Sequence, residues 1–221
     1  MSAFLTPPPQ RGRPPKNSAI PRQDTRALLV RTGLAYLTER GYSSVGIDEV
    51  LKAAKVPKGS FYHCFDSKET FGKLLISTYA DYFAAKLDRW FLDEAESPLQ
   101  RLYNFIHDAK QGMGRHDFKR GCLVGNLGQE MGALPESFRP LLEGVFADWE
   151  ARTAACLAAA QRKGEISKLL DCESLAQFFW IGWEGAVLRA KLERTAAPLD
   201  VYADGFFQLV KSKAPFLTSA K

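Results

Sequence analysis

Apolar residues recur at helical spacing in almost every segment of this 221-residue chain from Asp24 onward. Ala27, Val30 and Leu34 begin the pattern, and residues three or four apart share one face of a helix. No run of alternating apolar and polar residues competes with it, and we find no internal repeat. The sequence therefore predicts an all-α fold, in a chain long enough to bury a substantial core.

Composition narrows the class of protein. Apolar residues make up 46% of the chain and charged residues 25%, which is the balance of a globular protein. Uncharged stretches reach about ten residues, half of the roughly 20 that cross a bilayer, and a secretory leader pattern is missing. We therefore expect a cytoplasmic protein without membrane contact. The four cysteines lack C-x-x-C spacing, so reduced thiols and neither metal nor cofactor are expected.

Positive charge is concentrated in the first third of the chain. Residues 1–66 contain ten Lys or Arg and five Asp or Glu, whereas residues 67–221 contain twenty of each sign. A basic N-terminal portion favours a polyanionic partner such as nucleic acid. The alternative is a solvated basic face that only aids solubility.

Residues 1–22 are interpreted as a flexible basic arm, because they are rich in proline and show no apolar periodicity. Within the arm, Arg11-Gly12-Arg13-Pro14 resembles the core of an AT-hook. Extended arginines in such a motif enter the narrow minor groove of A·T-rich DNA. The sequence thus predicts DNA contacts by Arg11 and Arg13, with a disordered basic tail as the alternative.

Residues 23–66 are predicted to form a helix-turn-helix DNA-binding domain. A first helix of about four turns starts at Asp24, which can cap it, and stops at Gly41. Two short helices follow, separated by a break at residues 55–57. The apolar positions of the second helix are Ile47, Val50, Leu51 and Ala54, and the third helix runs from about Lys58 to about Phe65.

Residues 67–221 are predicted to form a helical body. Ser67 is placed to cap a long helix that runs to about Glu94 and could join a head to a body. Residues 175–190 are apolar on nearly all sides, so neighbouring helices and a second subunit must cover them. Residues 171–213 are therefore predicted to form a four-helix interface in a homodimer.

The N-terminal pattern resembles the head of TetR-type repressors at many fixed positions between residues 25 and 71. These positions are Gly41-Tyr42, Ile47, Ala53-Ala54, Val56-Pro57-Lys58-Gly59-Ser60-Phe61-Tyr62-His63, Phe65 and Lys68. The resemblance implies a DNA-binding repressor, not an enzyme, in which residues 67–221 bind a ligand and dimerise. Gly46, Lys55 and Cys64 depart from the usual pattern. Lys55 stands where the turn usually has glycine, and a positive φ there would cost about 1 kcal/mol.

The same resemblance implies how the head contacts double-stranded operator DNA. The third helix enters the major groove, with Lys58, Gly59, Ser60 and Phe61 near base edges and Tyr62, His63 and Lys68 near phosphates. The small side chains of Gly59 and Ser60 would let the helix approach DNA closely. The alternatives are core packing for Phe61 and a satisfied, partly buried side chain for His63.

Two segments of the body, residues 120–130 and 180–191, resemble a TetR subgroup that governs acrylate use or responds to electrophiles. That resemblance implies effector sensing by Cys122, in a Gly-Cys-Leu segment, and by Lys191. A nearby ammonium lowers the pKa of a thiol, and the thiolate adds to electron-poor alkenes or is oxidised. The alternative for Cys122 is a small buried hydrophobic residue.

Further polar and aromatic residues of these segments are candidates for an effector pocket, in which a few polar groups orient a ligand between apolar walls. They are Asn126, Gln129, Glu130, Trp180, Trp183, Glu184 and Arg189. Arg189 could hold a carboxylate, although a salt bridge with Glu193 fits its helical spacing equally well. The tryptophans could equally belong to a dimer core.

These observations predict a homodimeric repressor that a small α,β-unsaturated acid, its thioester or a related electrophile releases from DNA. A first alternative is a repressor with an unreactive aromatic or apolar effector. A second is a cysteine-dependent enzyme acting on unsaturated substrates, but the sequence shows neither a phosphate-binding glycine loop nor a catalytic pattern around Cys122.

Overall fold

The computed structural model describes residues 22–212, with side chains from residue 24 onward, and every regular element in that range is helical. The α-helices are α1 (Arg22–Arg40), α2 (Ile47–Ala54), α3 (Lys58–Tyr62), α4 (Lys68–Phe91), α5 (Pro98–Gly114), α6 (Leu123–Gln129), α7 (Arg139–Arg162), α8 (Cys172–Glu193) and α9 (Ala197–Lys211). Short 3-10 turns at Met131–Ala133 and Glu136–Phe138 connect α6 to α7. The all-α prediction is confirmed.

Helices α1 to α3 form the head, and two boundaries differ from the sequence prediction. Helix α1 starts at Arg22, so Asp24 lies in its first turn instead of capping it. Helix α3 ends at Tyr62, because Phe65 turns inward and packs 4.7 Å from the Phe71 ring. The predicted stop at Gly41 is confirmed, since this residue has a φ of +80° that favours glycine.

The turn between α2 and α3 has the backbone that the sequence predicted. Lys55 lies in the left-handed region, with φ 55° and ψ 38°. A side chain in that region crowds the following carbonyl oxygen, so the turn carries a local cost. Gly46 precedes α2 in an extended conformation and supplies no side-chain cap.

Helix α4 runs from the head into the body. The Ser67 hydroxyl accepts a hydrogen bond from the Thr70 amide at 3.0 Å, which confirms the predicted cap. At 1.5 Å per residue, its 24 residues span about 36 Å. The first turns pack under the head through Phe71, and the later turns place Phe83 against Trp149 in the body, with ring centroids 4.4 Å apart.

Helices α8 and α9 pack closely at one edge of the body. A methyl group on Gly182 would overlap the Tyr202 ring, so the glycine permits the approach. The Tyr202 hydroxyl donates to the Phe179 carbonyl at 2.7 Å. On the outer face, Ile181 is 75% exposed and Leu192 is 74% exposed. None of the helices between residues 22 and 212 is long and apolar enough to span a membrane.

Candidate DNA-binding surface and effector cavity

The predicted DNA-contacting residues divide into an exposed set and an internal set. Lys58, Gly59, Tyr62 and His63 are exposed, and Ser60 is partly exposed. A methyl group on Gly59 would meet nothing within 4 Å, so the start of α3 is open for a close approach. The Lys58 ammonium pairs with Asp48 at 2.9 Å on the protein surface. Arg11 and Arg13 lie outside the described residues.

The structure contradicts the predicted base contact of Phe61, whereas the predicted phosphate contact of Lys68 stays a prediction. Phe61 is fully buried and meets Phe71 edge to face at 5.4 Å, so its side chain belongs to the head core and not to a base-reading surface. Lys68 is half-buried and donates to the Tyr42 carbonyl at 2.9 Å. Its ammonium also lies 4.2 Å from the centre of the Tyr42 ring, which ties the start of α4 to the end of α1.

A cavity of about 820 Å³ lies between the head and the body. Its wall comes from α1, α4, the end of α5, the segment before α6, and α8. The lining includes Arg31, Tyr79, Tyr82, Phe83, Lys86, Met113, Arg115, His116, Arg120, Cys122, Trp183, Glu184 and Val187. A pocket of this size, with mixed apolar and polar walls, suits a small organic ligand.

Cys122 lies at the cavity wall, immediately before α6. Its thiol is buried and accepts a hydrogen bond from the Gly125 amide at 3.4 Å. Burial raises the pKa of Cys122 well above its ordinary value, and the neighbouring Glu184 carboxylate raises it further. Both effects favour the protonated thiol, so the thiolate stabilised by a nearby ammonium stays a prediction from the sequence.

Glu184 is the acidic group of the cavity wall. A methyl group on Gly125 would overlap Glu184 Oε2 and would lie 3.6 Å from Cys122 Cβ. The side chains of Glu184 and Cys122 are therefore neighbours at this glycine. Desolvation raises the pKa of Glu184 to about 7, although a hydrogen bond with Cys122 opposes the shift. The carboxyl can therefore exchange its proton near neutral pH. Tyr79 adds a hydroxyl, whose pKa is raised by burial and by Cys122.

Basic side chains occupy another part of the cavity wall. A methyl group on Gly112 would lie 3.6 Å from Arg115 Nη2 and 4.0 Å from Lys86 Nζ, so the two cations converge there. Lys86 also pairs with Asp108 at 2.9 Å. Arg31 and Arg120 contribute further positive charge to the lining. This arrangement can hold an anionic group.

Asn126 and Glu130, which sequence analysis assigned to an effector pocket, join the body to the head. The Asn126 amide donates to the carbonyls of Leu37 and Thr38, at 2.9 Å each. The Glu130 carboxylate accepts from the backbone amides of Tyr42 and Ser43, at 3.1 and 2.7 Å. These residues bind the end of α1 and the turn that follows it.

Lys191 and Gln129 lie beside the same joint. The Lys191 ammonium donates to Asn126 Oδ1 at 3.4 Å and so supports the amide that holds α1. Gln129 is exposed at a surface depression that Lys191, Asn126 and Glu130 also line. Lys191 and Cys122 therefore line different cavities in this structure.

Trp180 and Arg189 do not line the 820 Å³ cavity. Trp180 is buried, and its indole N–H donates to Thr153 Oγ1 at 3.0 Å within the aromatic core of the body. Arg189 pairs with Glu193 at 2.5 Å on the outer side of α8. Of the predicted pocket residues, Cys122, Trp183 and Glu184 share the large cavity.

Helix α6 connects that cavity to the head within two turns. Cys122 precedes the helix at the cavity wall, Asn126 lies in its middle, and Glu130 follows it. A displacement of its first residues would therefore reach the carbonyls and amides of the head that the later residues hold. These contacts form a continuous path from the cavity wall to the head.

Sequence reasoning missed the contribution of α1, α4 and α5 to the cavity. Tyr79, Phe83 and Arg31 fit the helical periodicity of core or surface positions, and no motif separates them from ordinary packing residues. Lys86 and Arg115 converge only because α4 and α5 pack side by side. Within residues 22–212, no cluster of three or more His, Cys, Asp or Glu side chains could hold a metal.

Two family profiles match the chain. Residues 29–71 match the bacterial regulatory proteins of the tetR family, and residues 98–206 match the tetracyclin repressor-like C-terminal domain. Together the two matches cover the head and most of the body.

Sequence similarity to individual proteins extends over most of the chain. It is 55% identical over 198 residues to the transcriptional regulator AcuR of Cereibacter sphaeroides, covering 90% of each protein. It is 33% identical over 182 residues to the transcriptional repressor NemR of Escherichia coli, covering 80% of this chain and 89% of NemR. A crystal structure of a TetR regulatory protein from Rhodobacter sphaeroides superposes with a TM-score of 0.82 at 56% identity, covering 83% and 97% of the two chains. These proteins are regulators, which argues against the enzyme alternative.

Proposed function

The chain belongs to the tetR family of bacterial regulatory proteins, and on that premise we propose how this member binds and leaves DNA. A homodimer binds a roughly palindromic operator, with its heads in successive major grooves about 34–36 Å apart. A small α,β-unsaturated acid, its thioester or a related electrophile enters the cavity and releases the homodimer from the operator. The observation that carries this proposal is the position of α6, which starts at the cavity and ends on the head.

The operator contacts follow from what α3 exposes. Lys58, Ser60 and Tyr62 offer an ammonium and two hydroxyls beside the open backbone at Gly59. Such groups donate to base edges or phosphates when the helix lies in a major groove. The fully buried Phe61 anchors the helix from behind.

The second subunit is assigned to the outer face of α8 and α9. Ile181, Leu188, Leu192 and Val201 are exposed there, and one subunit leaves this apolar surface in water. A second copy of the chain would bury it, in the four-helix arrangement that repeats the same patch on both sides. Two heads on one dimer match a palindromic operator.

The effector class follows from the charge and size of the cavity. Arg31, Lys86 and Arg115 favour a carboxylate or phosphate, and Cys122 supplies a nucleophilic atom. Counting for each heavy atom the roughly 30 Å³ that a water molecule occupies, a five-atom unsaturated acid fills at most about a fifth of the space. A thioester of the same acid would use more of the 820 Å³ available.

The test is an electrophoretic shift assay on DNA flanking the gene of this protein, repeated with acrylate, an acrylate thioester and N-ethylmaleimide. We expect salt-sensitive, sequence-selective binding, since phosphate contacts release counterions. Electrophiles should release the wild type and the matched control Cys172→Ala, but not Cys122→Ala.

Intact-mass measurement separates covalent from reversible action. A mass increase equal to one effector per chain accompanies release if Cys122 is alkylated. Release without a mass increase would favour the unreactive-effector alternative. Absence of selective binding to any promoter fragment would contradict the repressor assignment itself.

A further inference from the structure

Three protic side chains from three elements meet on one part of the cavity wall. They are the Cys122 thiol before α6, the Glu184 carboxyl of α8 and the Tyr79 hydroxyl of α4. Gly125 makes the meeting possible, because any side chain there would overlap Glu184 Oε2. The Glu184 carboxylate also raises the pKa of the Cys122 thiol, as expected for a close neighbour.

The ammonium that was expected beside the thiol and the guanidinium two residues before it are directed to other groups. The Lys191 ammonium donates to Asn126, and the Arg120 guanidinium lies 3.9 Å from Glu39. Cys122 is buried and accepts one weak backbone hydrogen bond. A protonated thiol is therefore the resting form, and its reaction with an electrophile needs a proton acceptor.

We propose that Glu184 is this proton acceptor when Cys122 adds to an electron-poor alkene in the cavity. The inference rests on the proposed function, because it concerns the chemistry of the same effector site. It replaces the ammonium-stabilised thiolate of the sequence prediction with a carboxylate that acts only during reaction, as a general base does.

The step balances without a further reagent. The thiol proton moves to a Glu184 carboxylate oxygen as the S–C bond forms at the β-carbon of the α,β-unsaturated carbonyl. The alkene electron pair shifts toward the carbonyl oxygen, to which the Tyr79 hydroxyl can donate. Protonated Glu184 then returns the proton to the α-carbon, so S–H has added across the double bond and Glu184 is regenerated.

Glu184→Gln tests the proposal, because the two explanations predict opposite changes in the rate at which Cys122 is alkylated. The full-length protein is treated with acrylamide at pH 7, and modification of the Cys122 peptide is followed by tandem mass spectrometry. Loss of the proton acceptor should slow alkylation at least tenfold. If Glu184 only repels a thiolate, the variant should react as fast as the wild type or faster, which would overturn the proposal. Glu173→Gln, on the exposed first turn of α8, is the matched control and should keep the wild-type rate.

The pH profile of the wild type is an independent test that needs no variant. With Glu184 as acceptor, the rate should rise with a midpoint near pH 7 and level off by about pH 8.5. An unassisted thiol would instead gain about tenfold per pH unit throughout this range. The other titratable groups of the cavity wall are Arg31, Tyr82, Lys86, Arg115, His116 and Arg120. His116→Gln should keep the midpoint, and a lost midpoint would assign it to the histidine and overturn the proposal.

Glu184→Asp guards against a variant that fails to fold. The shortened side chain keeps an acid in place, so the levelling of the pH profile should persist at a lower rate. Operator release is measured separately on the same samples. Glu184-dependent alkylation without release would contradict the proposed effector function and leave the proton transfer intact. Operator release together with alkylation that does not depend on Glu184 would contradict the proton transfer and leave the proposed effector function intact.

Discussion

Lys55 holds a left-handed backbone conformation that the turn between α2 and α3 requires. Glycine adopts this conformation without the crowding of a Cβ atom, so Lys55→Gly should stabilise the protein by about 1 kcal/mol. Urea unfolding followed by circular dichroism measures the change. Lys52→Gly removes the same charge inside α2 and should destabilise by about 1 kcal/mol. Equal effects of both substitutions would contradict the conformational explanation.

Glu184 makes stability depend on pH with a definite sign. Burial raises the pKa of Glu184 from 4.5 to about 7, so the unfolded chain gives up this proton first as the pH rises. The stabilisation from protonated Glu184 is fully present below about pH 4.5 and is lost as the pH rises through 7. Its size is on the order of 1–3 kcal/mol.

Glu184→Gln should therefore gain stability relative to the wild type between pH 5 and pH 8. The neutral amide has no proton to lose, so its own profile lacks this contribution. Paired thermal unfolding curves at several pH values give the difference. A constant difference across that range would show that the carboxyl ionises normally in the folded protein.

Individual residues show what a single sequence can predict about such a site. Lys55 and Cys122 were recognisable because a turn and a Gly-Cys-Leu segment mark them. The neighbour of Cys122 could not be identified from the sequence. Glu184 and the expected Lys191 lie on the same helix, and only packing decides which of them faces the thiol. Phe61 was ambiguous for a similar reason, because one aromatic residue suits both a core and a groove.

Helix α6 is the element that joins the cavity to the head. Asn126→Leu keeps the size of the side chain but removes its two hydrogen bonds to the Leu37 and Thr38 carbonyls, each of which keeps one backbone donor. We expect a loss of about 1–3 kcal/mol in unfolding free energy. The ratio of operator affinities without and with effector should also fall, because the cavity no longer moves α1. Fluorescence anisotropy with labelled operator measures this ratio.

The matched control is Gln129→Leu, an exposed position at the end of the same helix. It removes a polar side chain of similar size without touching α1, so both the stability and the affinity ratio should stay near wild-type values. An unchanged ratio for Asn126→Leu would indicate that effector response reaches the head by a route other than α6.

Helix ends were predicted where a capping side chain or a glycine with positive φ marks them. They were missed where tertiary contacts determine the end of the helix. Ser67 and Gly41 carry a cap and a positive φ, and the chain behaves there as predicted. Helix α3 ends earlier than its sequence suggests, because Phe65 packs into the head core. Helix α6 has seven residues, too few for a periodic pattern to define where it ends.

At the scale of the whole molecule, we expect the outer face of α8 to bind a second subunit. Ile181→Glu places a charge on this apolar face and should convert the dimer into monomers, as measured by sedimentation velocity. Operator affinity should fall by more than a hundredfold, because each head then binds half a palindrome alone. Leu169→Glu is the matched control, since Leu169 is 80% exposed in the segment before α8. A dimeric Ile181→Glu protein would contradict the assigned interface.

The close fit of Glu130 to Gly41 limits how regulators of this kind can be recombined. A side chain at residue 41 would overlap the Glu130 carboxylate, which also holds the two amides of the following turn. A hybrid that carries a foreign DNA-reading portion on this effector portion would keep its response only if the incoming part brings both the glycine and that turn. Engineers seeking new biosensors should therefore exchange Gly41 and the turn that follows it together with the DNA-reading portion.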